Sequence, residues 1–135
     1  MTSRARKDEQ APRLTLKDAF EVEHARREME RRTRDEAQRR QQEEDLARAE
    51  ALCEALSADA DFLAGKGLTV DRRRYTVSLD SAAFRIAAYF DGGSALVTSA
   101  DRRGSPGAAP PKQETVDSVE DALRVMAQFL ADETR

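Results

Sequence analysis

Apolar residues recur along this chain with two different periods, and the change from one to the other divides it. From Leu16 to Leu63 they are sparse and helically spaced. Leu16, Phe20, Val22, Ala25 and Met29 make a thin early stripe, and Leu46, Ala49, Cys53, Leu56, Ala60 and Leu63 follow at intervals of three and four. Residues 30 to 45 between them hold no large apolar side chain. Neither proline nor glycine occurs between Pro12 and Gly65, and Glu, Arg, Ala, Gln and Leu, which cost least in a helix, dominate. Thr15 followed by Asp18 reads as a capping box, and Gly65 as a left-handed C-cap. The pattern predicts a charged helix over 14–64, with Ser57 and Asp59 as the places where it would break, near 57–59. Residues 1–13, charged and without an apolar core segment, read as a disordered tail and not as a signal sequence.

From residue 67 the period falls to two. Arg73, Tyr75, Val77 and Leu79 alternate with Arg74, Thr76 and Ser78, and Phe84, Ile86, Ala88 and Phe90 alternate with Arg85, Ala87 and Tyr89. Asp91-Gly92-Gly93-Ser94 is a hairpin turn, because adjacent glycines supply positive φ, and Ala95 to Ala100 returns as a third strand. The segment 102–112, with three prolines and two glycines, predicts a mobile loop. Ser118 with Asp121 caps a last helix, whose Val119, Ala122, Leu123, Met126, Phe129 and Leu130 make one apolar face. The expected fold is α+β: a long N-terminal charged helix, a three-stranded antiparallel sheet and a C-terminal amphipathic helix packed on the sheet. The sheet and last helix would form a small βββα domain over 65–135. Its second sheet face, bearing Ala87, Tyr89, Ala95 and Val97, is too apolar to stay wet. The stripe from Leu46 to Leu63, of the same chain or of a partner, is expected to cover it.

Charge changes this picture by its placement more than by its total. The 135 residues carry 23 Lys and Arg against 26 Asp and Glu, a formal net charge of -3, so the chain as a whole does not attract nucleic acid or an anionic membrane. Along the helix, however, residues 26 to 40 hold seven Arg against four acids, whereas residues 43 to 61 hold Arg48 against seven acids. Two such helices set antiparallel, crossing near Gln41 and Gln42, would match basic against acidic halves, and a parallel pair would not. Glu or Asp stands four residues before Arg at 23/27, 28/32, 30/34, 35/39, 36/40 and 44/48, which supports a solvated helix by about 0.2 to 0.5 kcal/mol per pair.

Candidate chemistry is thin. Glu21, His24 and Glu28 share a helical face at metal-ligand spacing, but a glutamate-rich helix produces that spacing by chance. The single cysteine, Cys53, excludes an internal disulfide, and its neighbours Glu50 and Glu54 disfavour a thiolate. Gly65-Lys66-Gly67 is too short for a phosphate loop. No catalytic residue, metal site or cofactor is expected, nor a membrane span. The chain reads as soluble, cytoplasmic and, from its excess of Arg over Lys, bacterial.

Two basic clusters remain: Arg72, Arg73 and Arg74 at the start of the first strand, and Arg102 and Arg103 after the third. If they met at one edge of the sheet they would suit phosphates. Over residues 46 to 132, the order helix, three strands, helix resembles the topology of the double-stranded-RNA-binding domain. That family clamps phosphate with a lysine-rich start to its last helix, where this chain has Asp117, Glu120 and Asp121. The expected function is a non-catalytic interaction or assembly module. Leu46, Ala49, Cys53, Leu56 and Leu63 would form the partner-binding seam, with a second copy of the chain or another protein as partner. Nucleic-acid binding through the five arginines is the alternative.

Overall fold

The computed structural model describes residues 13–102 and 111–134. Its elements are helix α1 (Leu16–Ser57), helix α2 (Ala60–Gly65), strands β1 (Thr69–Arg73), β2 (Thr76–Asp80), β3 (Phe84–Asp91), β4 (Ser94–Asp101) and β5 (Lys112–Val116), and helix α3 (Val119–Glu133). The chain divides into two compact units, Met1–Gln38 and Arg39–Arg135. The expected tail over 1–13 falls, apart from Arg13, outside the described residues.

In the first unit the helix starts where Thr15 caps it, its Oγ1 accepting the Asp18 N–H at 3.0 Å and its carbonyl the Ala19 N–H at 2.9 Å. From residue 13 to residue 38 no side chain is buried, so the helix is held by backbone hydrogen bonds and surface charge. Arg26 bonds both Glu23 and Glu30, Arg27 Nε meets Glu23 at 3.0 Å, and Arg31 meets Glu28 at 2.6 Å. Glu23/Arg27 thus pair four residues apart, while Glu28 and Glu30 choose Arg31 and Arg26 in place of Arg32 and Arg34.

In the second unit the remainder of α1 buries Asp45, Ala49, Leu52 and Leu56. The stripe is turned by about one residue from the expected seam: Leu52 is fully buried, whereas Leu46 and Cys53 lie half-buried at its margin. A buried aspartate followed by three small or apolar residues sets this face, and sequence spacing that counts only apolar positions overlooks it. Helix α1 ends at Ser57 and α2 begins at Ala60, with no side-chain cap from Asp59. At the far end of α2 the Leu68 N–H bonds the Leu63 carbonyl at 2.9 Å, and the Gly67 N–H bonds the Ala64 carbonyl at 3.1 Å. The left-handed residue that permits this closure is Gly67, at φ 70, and not Gly65.

The sheet has five strands in the order β1-β2-β3-β4-β5, every neighbouring pair antiparallel, and not the three strands expected. One addition comes from a turn at Arg74 and Tyr75, which splits the run from Arg73 to Leu79 so that β1 folds back on β2, Arg73 opposite Thr76. Arg74 sits at φ 54, a conformation usually given to Gly or Asn, so the turn carries no sequence signal. The other is β5, whose Lys-Gln-Glu-Thr-Val lacks apolar alternation because it is an edge strand, yet pairs with β4 from Lys112 opposite Ser99 to Val116 opposite Ala95. Of the loop expected over 102–112, residues 103–110 lie outside the described residues. With five strands between its helices, the fold departs from the three-strand order behind the resemblance to the double-stranded-RNA-binding domain.

Residues opposed in register share a face of the sheet. Val77, Leu79, Ile86, Ala88, Phe90 and Val97 lie on one face and join Ala49, Leu52, Leu56 and Leu63 in a single core. Helix α3, capped by Ser118 Oγ accepting the Asp121 N–H at 3.1 Å, adds Ala122, Val125, Met126, Phe129 and Leu130 to the same core. Both helical segments therefore cover one face. Ala95 and Val97, expected on the other, belong to this core, and the opposite face, with Tyr89 beside Leu96 and Ala87 beside Thr98, contributes no residue to it.

Candidate functional site

The most constrained polar group in the second unit is Asp45, which is 3% exposed. Its carboxylate accepts the Gly92 N–H at 2.9 Å, the Gly93 N–H at 3.0 Å and the Gln41 side-chain amide at 3.2 Å. Both glycines have positive φ, 61 and 89, the conformation of a two-residue hairpin turn whose consecutive N–H groups point one way. Arg48 lies 3.7 Å from the same carboxylate. With its oxygens occupied by backbone and amide donors, Asp45 acts as a clamp between helix and hairpin.

The expected partner-binding residues go to two places. Ala49, Leu56 and Leu63 are buried in their own core, while Cys53 and Leu46 are half-buried beside it. Around Leu56 and Leu63, with Leu123 and Met126, an apolar cleft of about 110 Å³ remains, and Phe62 at its rim is exposed under the Lys66 ammonium, 5.9 Å from the ring centre. The large apolar side chains left uncovered are concentrated in the first unit: Leu16 is 86% exposed, Met29 69% and Phe20 63%, with Val22 exposed as well. Phe20 stacks on His24, their ring centres 5.6 Å apart.

The two arginine clusters do not meet. Arg73, Thr76, Tyr89 and Leu96 stand in one row across the sheet, whereas Asp101, just before Arg102, stands opposite Phe84. Five residues of β3 separate these rows, about 17 Å along the strands. Arg102 is instead drawn to Asp80 at 3.3 Å, which also takes Arg85 at 3.5 Å and the Ser78 hydroxyl at 2.8 Å. Arg103 lies outside the described residues. Arg72, Arg73 and Arg74 remain together and exposed at the β1–β2 turn, and among the described residues only Arg73 has an acidic partner, Asp71 at 3.4 Å.

Among the described residues no three His, Cys, Asp or Glu side chains gather as metal ligands, and no helix is long and apolar enough to cross a membrane. No protein-family model matches the chain, and neither a curated protein nor a solved structure is found similar to it.

Proposed function

We propose that the protein is a non-catalytic assembly module that associates with a second copy of itself through α1. The observation that carries this reading is the exposure of Leu16, Phe20, Val22 and Met29 on a helix segment that buries no side chain. Apolar surface of this kind gains about 25 cal/mol per Å² when a partner covers it. Charge supports an antiparallel arrangement. The arginines of residues 26 to 40 are exposed, and so are Glu43, Glu44, Glu50 and Glu54, so each run is open to its opposite in a second helix. Ala49, Leu56 and Leu63 take part only by anchoring the helix, since exposing them would dismantle the core.

Sedimentation equilibrium of the intact chain tests this reading. The expected result is a dimer or larger species at low salt that loosens at high salt, as exposed ion pairs are screened over about 10 Å at 0.1 M. Replacing Phe20 and Met29 together by Asp is expected to give a monomer of unchanged urea stability. A monomeric wild type at both salts overturns self-association.

A further inference from the structure

The sheet face turned away from the core carries one exposed aromatic residue among small ones. Tyr89 is 45% exposed, and around it on that face lie Leu96, Ala87, Thr98 and Thr76, all half-buried. An aromatic ring standing on a sheet of short side chains offers a flat, accessible face. Basic groups sit beside it. Arg73 shares Tyr89's row, with Thr76 between them, so the two backbones are about 10 Å apart at two strand spacings. Arg74 follows Arg73 at the turn, whereas Arg72, opposite Val77, belongs to the core face, and the Arg73 contact with Asp71 joins two exposed side chains that solvent screens. Farther along the same face Arg85 and Arg102 together meet the single Asp80.

We propose that this face binds single-stranded nucleic acid, with one base stacked on Tyr89 and the backbone phosphates held by Arg73 and Arg74. A ring that stacks a base needs an exposed face with nothing tall beside it, and phosphates need cations free of buried partners. Tyr89 and Arg73 meet both conditions within one row of the sheet, with Arg74 at the adjoining turn. A duplex suits the face poorly, because its bases are already stacked on one another and only its backbone would be read. The proposal does not depend on self-association through α1.

The chain has two tyrosines and no tryptophan, so tyrosine emission reports the contact directly. Tyr75 is half-buried at the turn, and a Tyr75→Phe background leaves Tyr89 as the sole emitter. Titration of this protein with 15-nucleotide oligouridine and oligothymidine is expected to quench the emission, and the two arms show whether the 2′-hydroxyl matters. Tyr89→Ala is expected to weaken binding, read by anisotropy of a labelled strand, roughly 5- to 150-fold, while Tyr89→Phe in the natural background restores most of it. Removing Arg73 should lower the slope of log affinity against log salt by about 0.7. The Phe20→Asp, Met29→Asp variant should bind as the wild type does, which separates this site from the helix contact. Absence of quenching and of anisotropy change at low salt overturns the proposal. So does Tyr89→Ala binding like the wild type, or losing a dimer in place of affinity for the strand, which would make the face a protein contact.

Discussion

Asp45 shows how much one side chain contributes when its oxygens have backbone donors. Its carboxylate bonds two consecutive turn N–H groups 47 and 48 residues away in sequence. Hydrogen bonds to a charged group contribute about 1.5 to 3 kcal/mol, so Asp45→Ala is expected to lower the urea unfolding free energy by about 2 kcal/mol, and Asp45→Asn by less, since it keeps one acceptor. Leu52 and Leu46 make a second pair at this scale. Leu52 is fully buried, so Leu52→Ala should cost about 3 kcal/mol, whereas Leu46→Ala, at the margin of the core, should cost under about 1 kcal/mol by the same denaturation. Equal losses would mean that the buried face of the helix runs through Leu46 as much as through Leu52. Apolar spacing in the sequence favours Leu46 and Cys53. A polar residue, Asp45, sets the true phase, and its burial depends on a turn far along the chain.

At the scale of elements, the outer parts of the fold declared themselves by local chemistry. Thr15 and Ser118 cap their helices, the Gly92-Gly93 turn joins β3 to β4, and the alternation from Phe84 to Phe90 is a strand. What stayed hidden was what tertiary pairing alone makes regular. β5 is four exposed polar or charged residues ending in Val116, and the β1–β2 turn bends at an arginine. The candidate site was legible in the same measure. Arg72 to Arg74 could be picked out by charge, but Tyr89 acquires meaning only once the register places it on the face away from the core, in one row with Arg73.

The first helical segment makes a prediction of its own. The guanidinium of Arg26, with that of Arg27 beside it, lowers the Glu23 carboxyl from its ordinary 4.5 to about 2. A folded value below the unfolded one means that this contribution is complete above about pH 4.5 and vanishes as pH falls through about 2. Far-UV circular dichroism of the wild type minus that of Glu23→Gln should therefore show extra helix at pH 6 that is much reduced at pH 2. A difference that persists unchanged at pH 2 would deny the charge pair its role.

For the whole molecule the two units imply unequal stability. Residues 16 to 38 bury nothing, and a solvated helix of this length is marginal in water, whereas the apolar core belongs to the second unit, with β2, β3 and β4 running through it. Amide hydrogen exchange of the monomer should accordingly be fast from residue 16 to residue 38 and slow in β3 and β4, approaching global unfolding there. Association through α1 would slow the first set selectively, so the same measurement at high and low protein concentration reads where the contact lies.

The clamp on the β3–β4 hairpin also bears on how this sequence can change over evolutionary time. Surface hairpins usually accept inserted residues cheaply, because each doubling of a loop adds only about 0.6 kcal/mol of closure entropy. Here an extra residue between Gly92 and Gly93 would turn one N–H away from Asp45 and spoil the paired positive φ, at roughly the cost of deleting the carboxylate. The length of this one turn is thus fixed by a residue on another element. Lineages that lengthen it would be expected to lose the acidic residue at position 45 as well.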